Sequence, residues 1–345
     1  MNSAPNERIL LIPEGQNNDF TPCGWIRLIH PWTAFAESNN HELHVGKWSD
    51  LDSFKPSILV TQRTVSGEKA PDFISNAKSR GIKTVLDLDD YLLELPKSHP
   101  DYMEYEVNRP YLQAALEQVD FITVSTEPLA KKLDFAQKTI LVPNALAPQI
   151  WEDSDSSYAK ERSPSEFINV LYAGTTSHRS DWAMVEDQVL NSLKANKSLR
   201  VFLIGITSQV VPKHRRLIRL NPPRAAIASY PAYVNWLRQV QKFDFGIAPL
   251  LNTEFNNYKS DLKLLEYTAL GAVTFCSPVE PYLNTKIDPQ MFNYVSESGW
   301  FAVLSELSSR AARLRNTAKG LSRCPELFIN ENGVNQFGIA RVFEE

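Results

Sequence analysis

The sequence predicts an α/β protein of two similar halves, each a parallel sheet covered by helices. Short apolar runs rich in β-branched residues alternate with segments of helical spacing. The alternation occurs twice, on either side of a polar, proline-containing stretch. At 345 residues and 43% hydrophobic side chains, the chain also exceeds what one core usually organises.

In the first half, buried strands are expected at "RILLIP" (8–13), "SILVTQ" (57–62), "KTVLDL" (83–88), "FITVST" (121–126) and "TILVP" (139–143). The stretch 144–167, "NALAPQIWEDSDSSYAKERSPSEF", has the composition of a linker. The second series follows as "FINVLYAG" (167–174), "LRVFLIG" (199–205), "FDFGIAPL" (243–250) and "AVTFCS" (272–277). These readings give a first domain over 1–145, a linker over 146–166, a second domain over 167–325 and a tail over 326–345. The tail is expected as a helix packing on one of the halves.

Composition excludes several classes. A net charge of −4 argues against bulk attraction to nucleic acid. Cys23, Cys276 and Cys324 are odd in number and lack CxxC spacing, which fits neither a disulfide framework nor a zinc site. The amino-terminal stretch lacks a basic segment followed by a long apolar run, and no eighteen consecutive residues are apolar. A cytoplasmic protein is expected. No GxGxxG, Walker A, HExxH or GxSxG occurs, which removes the readiest dehydrogenase, ATPase, metalloprotease and hydrolase readings.

Ligands of open α/β sheets bind beyond the carboxyl ends of strands. After "FINVLYAG" comes "TTSHRSDW", a small-residue loop entering a helix, where backbone N–H groups favour an anion. A capped surface turn, with His178 a solvated histidine, is the plainer reading. In "FNNYKSDLKLLEYTALGAVTFC" (255–276), helical periodicity places Lys259, Lys263 and Glu266 within about 60° of one another. Leu262, Leu265 and Ala269 form the neighbouring apolar stripe, and Gly271 suits a left-handed cap. A solvated stripe with a Lys263–Glu266 pair explains this. So do ammonium groups meeting a diphosphate beside a carboxylate that accepts from ribose hydroxyls. The aromatic-rich "YPAYVNWLRQVQKFDF" (230–245) has the spacing of a core helix before a strand.

"VLYAGTTSHRSDW" and, some seventy residues on, "FDFGIAPLLNTEFNNYKSDLKLLEYTALGAVTFCSPVEPY" resemble the nucleotide-binding half of GT-B-fold glycosyltransferases, especially family 4-like enzymes of bacterial polysaccharide assembly. The resemblance covers 168–283 well and the first half faintly. It implies two Rossmann-like domains facing each other across a cleft. It implies that Glu266 contacts the nucleotide ribose, that Gly174, Thr175, Thr176 and His178 line the diphosphate and donor sugar, and that Lys259 and Lys263 neutralise the leaving diphosphate. His178, Lys259 and Lys263 are thereby the catalytic candidates. One departure is Tyr258, where the family commonly has a second glutamate eight positions before the ribose-binding one.

The first half carries "DLDDY", with Asp87, Asp89 and Asp90 after a strand. An Asp-x-Asp pair also marks the metal site of GT-A glycosyltransferases, and "DLDD" opens haloacid dehalogenase phosphatases. Against the phosphatase, Tyr91 stands at the usual threonine position and no later acidic pair follows a strand; against GT-A, the nucleotide-like features cluster in the other half. Aspartates capping turns are the structural alternative. Within the GT-B reading, Asp89, Asp90 and His99 hold acceptor hydroxyls; Gly24, on the same acceptor side, brackets with Gly15 a loop that is either one whose backbone approaches the diphosphate or a plain surface loop. Two basic stretches, 212–224 and 310–323, read as helices that are either solvated faces or contacts to acidic lipid headgroups at the inner membrane face.

The expected function is transfer of a sugar from a nucleotide diphosphate donor to a glycan or lipid-linked glycan, retaining, with no metal or other cofactor. A sugar-nucleotide epimerase of the same architecture and a non-catalytic nucleotide-sugar-binding protein are the alternatives.

Overall fold

A computed structural model describes residues 6–16, 19–63, 68–151, 167–205, 213–311, 314, 327–329 and 338–344. Most of the expected linker, most of the second basic stretch and Cys324 lie outside the described residues. The chain divides into two compact units. The first comprises Met1–Ala147, Tyr258–Ser260 and Phe328–Glu345, and the second Pro148–Asn257 and Asp261–Leu327.

The first unit holds six parallel strands: β1 (Arg8–Ile12), β2 (Glu42–Val45), β3 (Ile58–Gln62), β4 (Lys83–Leu88), β5 (Phe121–Val124) and β6 (Thr139–Leu141), in the spatial order β2-β1-β3-β4-β5-β6. Register is set by buried runs, with Leu10 opposite Leu59 and Val60 opposite Val85. Helices α1 (His30–Ser38), α2 (Ala70–Ser79), α3 (Tyr102–Gln118) and α4 (Glu127–Leu133) belong to this unit. The chain's end returns to it: Ile339 and Val342 join the core of Ile9, Leu11, Trp32 and Val60, and Lys83 Nζ donates to the Val342 carbonyl at 2.8 Å.

The second unit holds β7 (Ile168–Ala173), β8 (Leu199–Ile204), β9 (Leu217–Leu220), β10 (Phe245–Ala248), β11 (Val273–Cys276) and β12 (Phe292–Tyr294), all parallel, in the order β9-β8-β7-β10-β11-β12. Its principal helices are α5 (Arg179–Ala195), α6 (Tyr230–Val240) and α7 (Leu262–Ala269). Helix α6 confirms the core reading for Val234 and Leu237. Gly271, at φ +70°, follows α7 in the left-handed region, as its position after the apolar stripe predicts.

Within the two six-stranded sheets, three strands escape the sequence reading, and each lies on a sheet edge: β2, β9 and β12. Edge strands are covered on fewer sides, so their sequences "ELHV", "LIRL" and "FNY" are short and mixed in polarity. The first basic stretch, expected as a helix, is corrected by β9: Arg219 is one of its residues.

A buried ion pair fixes the carboxyl end of the first sheet. Gly24–Ile29 forms a π-helical turn before α1. From it Arg27 grips Asp87 of β4 with two bonds, of 2.7 and 3.1 Å. Thr123 donates to the same carboxylate, while Arg27 also reaches the Val142 carbonyl and Asn144 Oδ1. Asp87 is therefore structural. Asp87→Ala leaves the guanidinium buried without its counter-charge and should cost about 3–5 kcal/mol of unfolding free energy in a denaturant titration. A loss below about 1 kcal/mol would show that the pair does not fix the sheet.

Candidate functional site

The order of the second sheet reverses between β7 and β10. At such a reversal the crossovers run to opposite faces, and the carboxyl ends of two neighbouring strands stay open to a ligand. The donor-side candidates gather there. Gly174 and Thr175 follow β7, and the turn Thr176–His178 leads into α5. No side-chain hydrogen bond caps the α5 N-terminus; the tight turn before it takes up the Arg179 N–H at the Thr176 carbonyl, and the dipole of the helix favours an anion at this end. His178 Nδ1 lies 2.8 Å from Asp181 Oδ2. Asp181, 3% exposed, takes the Leu251 N–H at its other oxygen (2.9 Å). This dyad ties the turn after β7 to the segment after β10 and sets the plane of the imidazole.

Tyr172, at the end of β7, connects the turn to α7. Its hydroxyl donates to the His178 carbonyl at 3.3 Å, and Lys263 Nζ lies 5.4 Å from its ring centroid. One helical turn on, Glu266 accepts from the Tyr230 hydroxyl at 3.0 Å. Burial pushes the Glu266 carboxyl up to about 7, against the opposing pull of Tyr230 and Lys263. Tyr267, beside it, accepts the Ala173 N–H at 2.8 Å. That packing requires Gly246 in β10, because a Cβ there would lie 2.2 Å from the Tyr267 ring.

Lys259 departs from the expected stripe. Helix α7 begins at Leu262, so helical periodicity does not extend back to Lys259, which belongs to the first unit with Tyr258 and Ser260. Its ammonium lies 3.0 Å from both Asp90 oxygens. The segment is held further by Thr126, which donates to the Tyr258 carbonyl at 2.8 Å, and by Asn144, which donates to Ser260 Oγ at 2.7 Å. The stripe reduces to Lys263 and Glu266.

The first sheet reverses order between β1 and β3, and the other candidates lie near that point. Arg63, after β3, pairs with Glu14, after β1, at 2.6 Å and faces Asp89 at 3.6 Å. The Cys23 thiol donates to Asp89 at 2.8 Å and accepts from Gln62 at 3.0 Å. Burial works to raise the Asp89 carboxyl, yet Arg63, Cys23, Arg27 and Lys259 outweigh it and hold it below the ordinary carboxylate range. Burial lowers His99, which also feels Lys259 and Asp90. Gly24 is packed 3.1 Å (as a Cβ) from the Glu14 carbonyl, and its N–H is donated to Thr21 Oγ1, so that backbone donor is already filled. All three "DLDD" aspartates thus have cationic neighbours, and among the described residues no group of three His, Cys, Asp or Glu could hold a metal ion.

Sequence reasoning missed Tyr172, Asp181 and Tyr230, together with Glu14 and Arg63. Only Asp181 carried a signal, three residues after His178 at a helix start. The others are ordinary core or strand-end residues until the fold brings them together.

No family model matches the chain and no curated protein matches it by sequence. Solved structures match it in fold. Sucrose-phosphate synthase from Thermosynechococcus elongatus aligns over 98% of both chains at 10% identity, with a TM-score of 0.62. Anabaena HepE, in complex with UDP and glucose, aligns over 98% of this chain and 99% of its own at 11% identity, with a TM-score of 0.61. T4 phage BGT, in complex with UDP and Mn²⁺, aligns over 98% and 100% at 13% identity, with a TM-score of 0.56. The chain has the GT-B fold of these proteins. No helix among the described residues is long and apolar enough to cross a membrane.

Glu266 gives a pH-dependent prediction. Its folded value of about 7 stands above the ordinary value of 4.5. Stability is therefore fully present below the lower value and lost as pH rises through the upper one. Glu266→Gln removes that loss. After allowance for partial solvent screening, it should gain about 1–2 kcal/mol over wild type at pH 8 and nothing below pH 4.5. Thermal unfolding across this range checks it, and a variant equal to wild type at pH 8 would contradict the raised value.

Proposed function

We propose that the chain is a glycosyltransferase that moves a sugar from a nucleotide diphosphate donor to a glycan or lipid-linked glycan acceptor. The observation that carries this reading is the juxtaposition of a half-buried carboxylate, an ammonium and the N-terminus of α5 at the order reversal of the second sheet. A nucleoside diphosphate presents the complementary groups: a vicinal diol that donates to Glu266, and phosphates that meet Lys263 and the first turn of α5. UDP is the nucleotide to test first, because HepE and BGT are each described in complex with it.

In this reading the departing phosphate gathers negative charge as the glycosidic bond breaks. Lys263 and the α5 N–H groups stabilise that charge. His178, held by Asp181, lies beside the same turn and donates toward the sugar or its phosphate. Retention follows if the departing phosphate takes the acceptor's proton, since no protein base is then needed. The reaction needs no divalent cation, because Lys263 supplies positive charge at the phosphate and the "DLDD" carboxylates are engaged by Arg27, Arg63 and Lys259. The acceptor lies against Asp90 and His99 in the first unit.

Enzyme-dependent release of UDP from UDP-glucose and related UDP-sugars, with product analysis, tests the proposal. Turnover should persist in EDTA, and Lys263→Ala should lower kcat by about 10²-fold. Turnover abolished by EDTA and restored by Mn²⁺ would overturn the metal-free mechanism. Conversion of the donor sugar without any acceptor would identify an epimerase, and failure to turn over any UDP-, GDP-, CDP- or ADP-sugar would leave a binding protein.

A further inference from the structure

The carboxylate assigned to the ribose does not stand alone. The single turn Pro148–Trp151 precedes the second sheet, and Arg238 of α6 donates to the Ile150 carbonyl at 2.8 Å, fastening that turn to the helix. Trp151 is 3% exposed, and its Nε1 lies 3.3 Å from the Tyr230 hydroxyl. Tyr230, also 3% exposed, lies 3.0 Å from Glu266 Oε1. The chemistry of these groups gives the chain a direction. An indole N–H only donates, so the Tyr230 oxygen accepts from Trp151, and its own proton points at Glu266.

We infer that Tyr230 is a positioning residue for nucleotide binding: polarised by Trp151, it holds the Glu266 carboxylate in the orientation and ionised form that accept a ribose diol. The inference rests on the reading of Glu266 as the ribose ligand and adds to it two residues that otherwise pass as core.

A diol donates two hydrogen bonds, and a carboxylate accepts both only when it is deprotonated. The site is poorly suited to that form, since burial favours the neutral acid. Among the described residues, the titratable groups that face Glu266 come from two helices. Tyr230 and Tyr233 come from α6, Tyr267 and Lys263 from its own helix. Burial holds all three tyrosines well above their ordinary value, so near neutral pH they are uncharged. Lys263 supplies positive charge, and Tyr230 supplies the directed donor. Remove that donor, and the carboxyl becomes harder to ionise and free to rotate.

The test is a titration of uridine and of UDP into wild type, Tyr230→Phe, Trp151→Phe and Glu266→Ala between about pH 6 and about pH 8.5. Uridine separates the titration of Glu266 from that of the phosphates. Wild-type affinity for uridine should rise through about pH 7. Tyr230→Phe should move the rise to higher pH. It should bind about five- to tenfold more weakly near neutrality and recover toward wild type at the alkaline end. Trp151→Phe should shift the profile the same way by less, and it serves as the second variant if Tyr230→Phe folds poorly. A Tyr230→Phe profile that coincides with wild type, or that lies below it by one constant factor at every pH, would overturn the inference. The two readings fail separately. If Glu266→Ala leaves uridine affinity unchanged, the ribose assignment itself is wrong; if Glu266→Ala weakens it while neither Tyr230→Phe nor Trp151→Phe moves the profile, only the relay is wrong.

Discussion

A parallel sheet whose strand order reverses cannot cover both strand ends at the reversal, because consecutive crossovers leave it on opposite faces. Each unit contains one such point. In the second it lies between β7 and β10, and everything assigned to the donor hangs from it: the turn of His178, the Asp181 contact to Leu251, and the start of α7 with Lys263 and Glu266. In the first it lies between β1 and β3, where Glu14, Gln62 and Arg63 emerge. The chemistry at either point is a choice of side chains on a common frame.

Charge separates structural from functional groups. Asp87 is almost wholly enclosed and receives two bonds from Arg27 and one from Thr123, so every strong partner it can use is already present. Burial raises both carboxyls, but against the three bonds of Asp87, Glu266 has the Tyr230 hydroxyl and the nearby Lys263. Burial raises Glu266 to about 7 and the tyrosine donor only partly offsets this. A carboxylate kept where burial disfavours its ionised form is a destabilising choice, of the kind that accompanies ligand sites. Asp89 and Asp90 fall between these cases: Arg63 helps hold Asp89 below the ordinary carboxylate range, and Asp90 is paired with Lys259.

Much of the frame was legible in the sequence, for a physical reason. A central parallel strand is buried on both faces, so runs such as "RILLI" and "INVLYA" are uniformly apolar and announce themselves. Edge strands such as "FNY" carry no such mark. The site was legible only where one local rule sufficed. The polar pair on α7 followed from periodicity, but the same rule misplaced Lys259, because the helix begins three residues later and Asp90 captures the ammonium. "DLDD" looked like one acidic cluster; the fold assigns its members to three different cations. Tyr230 read as core from its spacing, and it is buried, but its hydroxyl serves Glu266 across a sequence separation that no local pattern reports.

The central claim is that a nucleoside diphosphate binds at the order reversal of the second sheet with its ribose on Glu266. A crystal structure of the protein soaked with UDP tests this most directly. The account predicts ribose hydroxyls within about 2.6–3.2 Å of the Glu266 carboxylate and phosphate oxygens at Lys263 and the first turn of α5. UDP bound elsewhere, or bound there with its ribose turned away from Glu266, would contradict it.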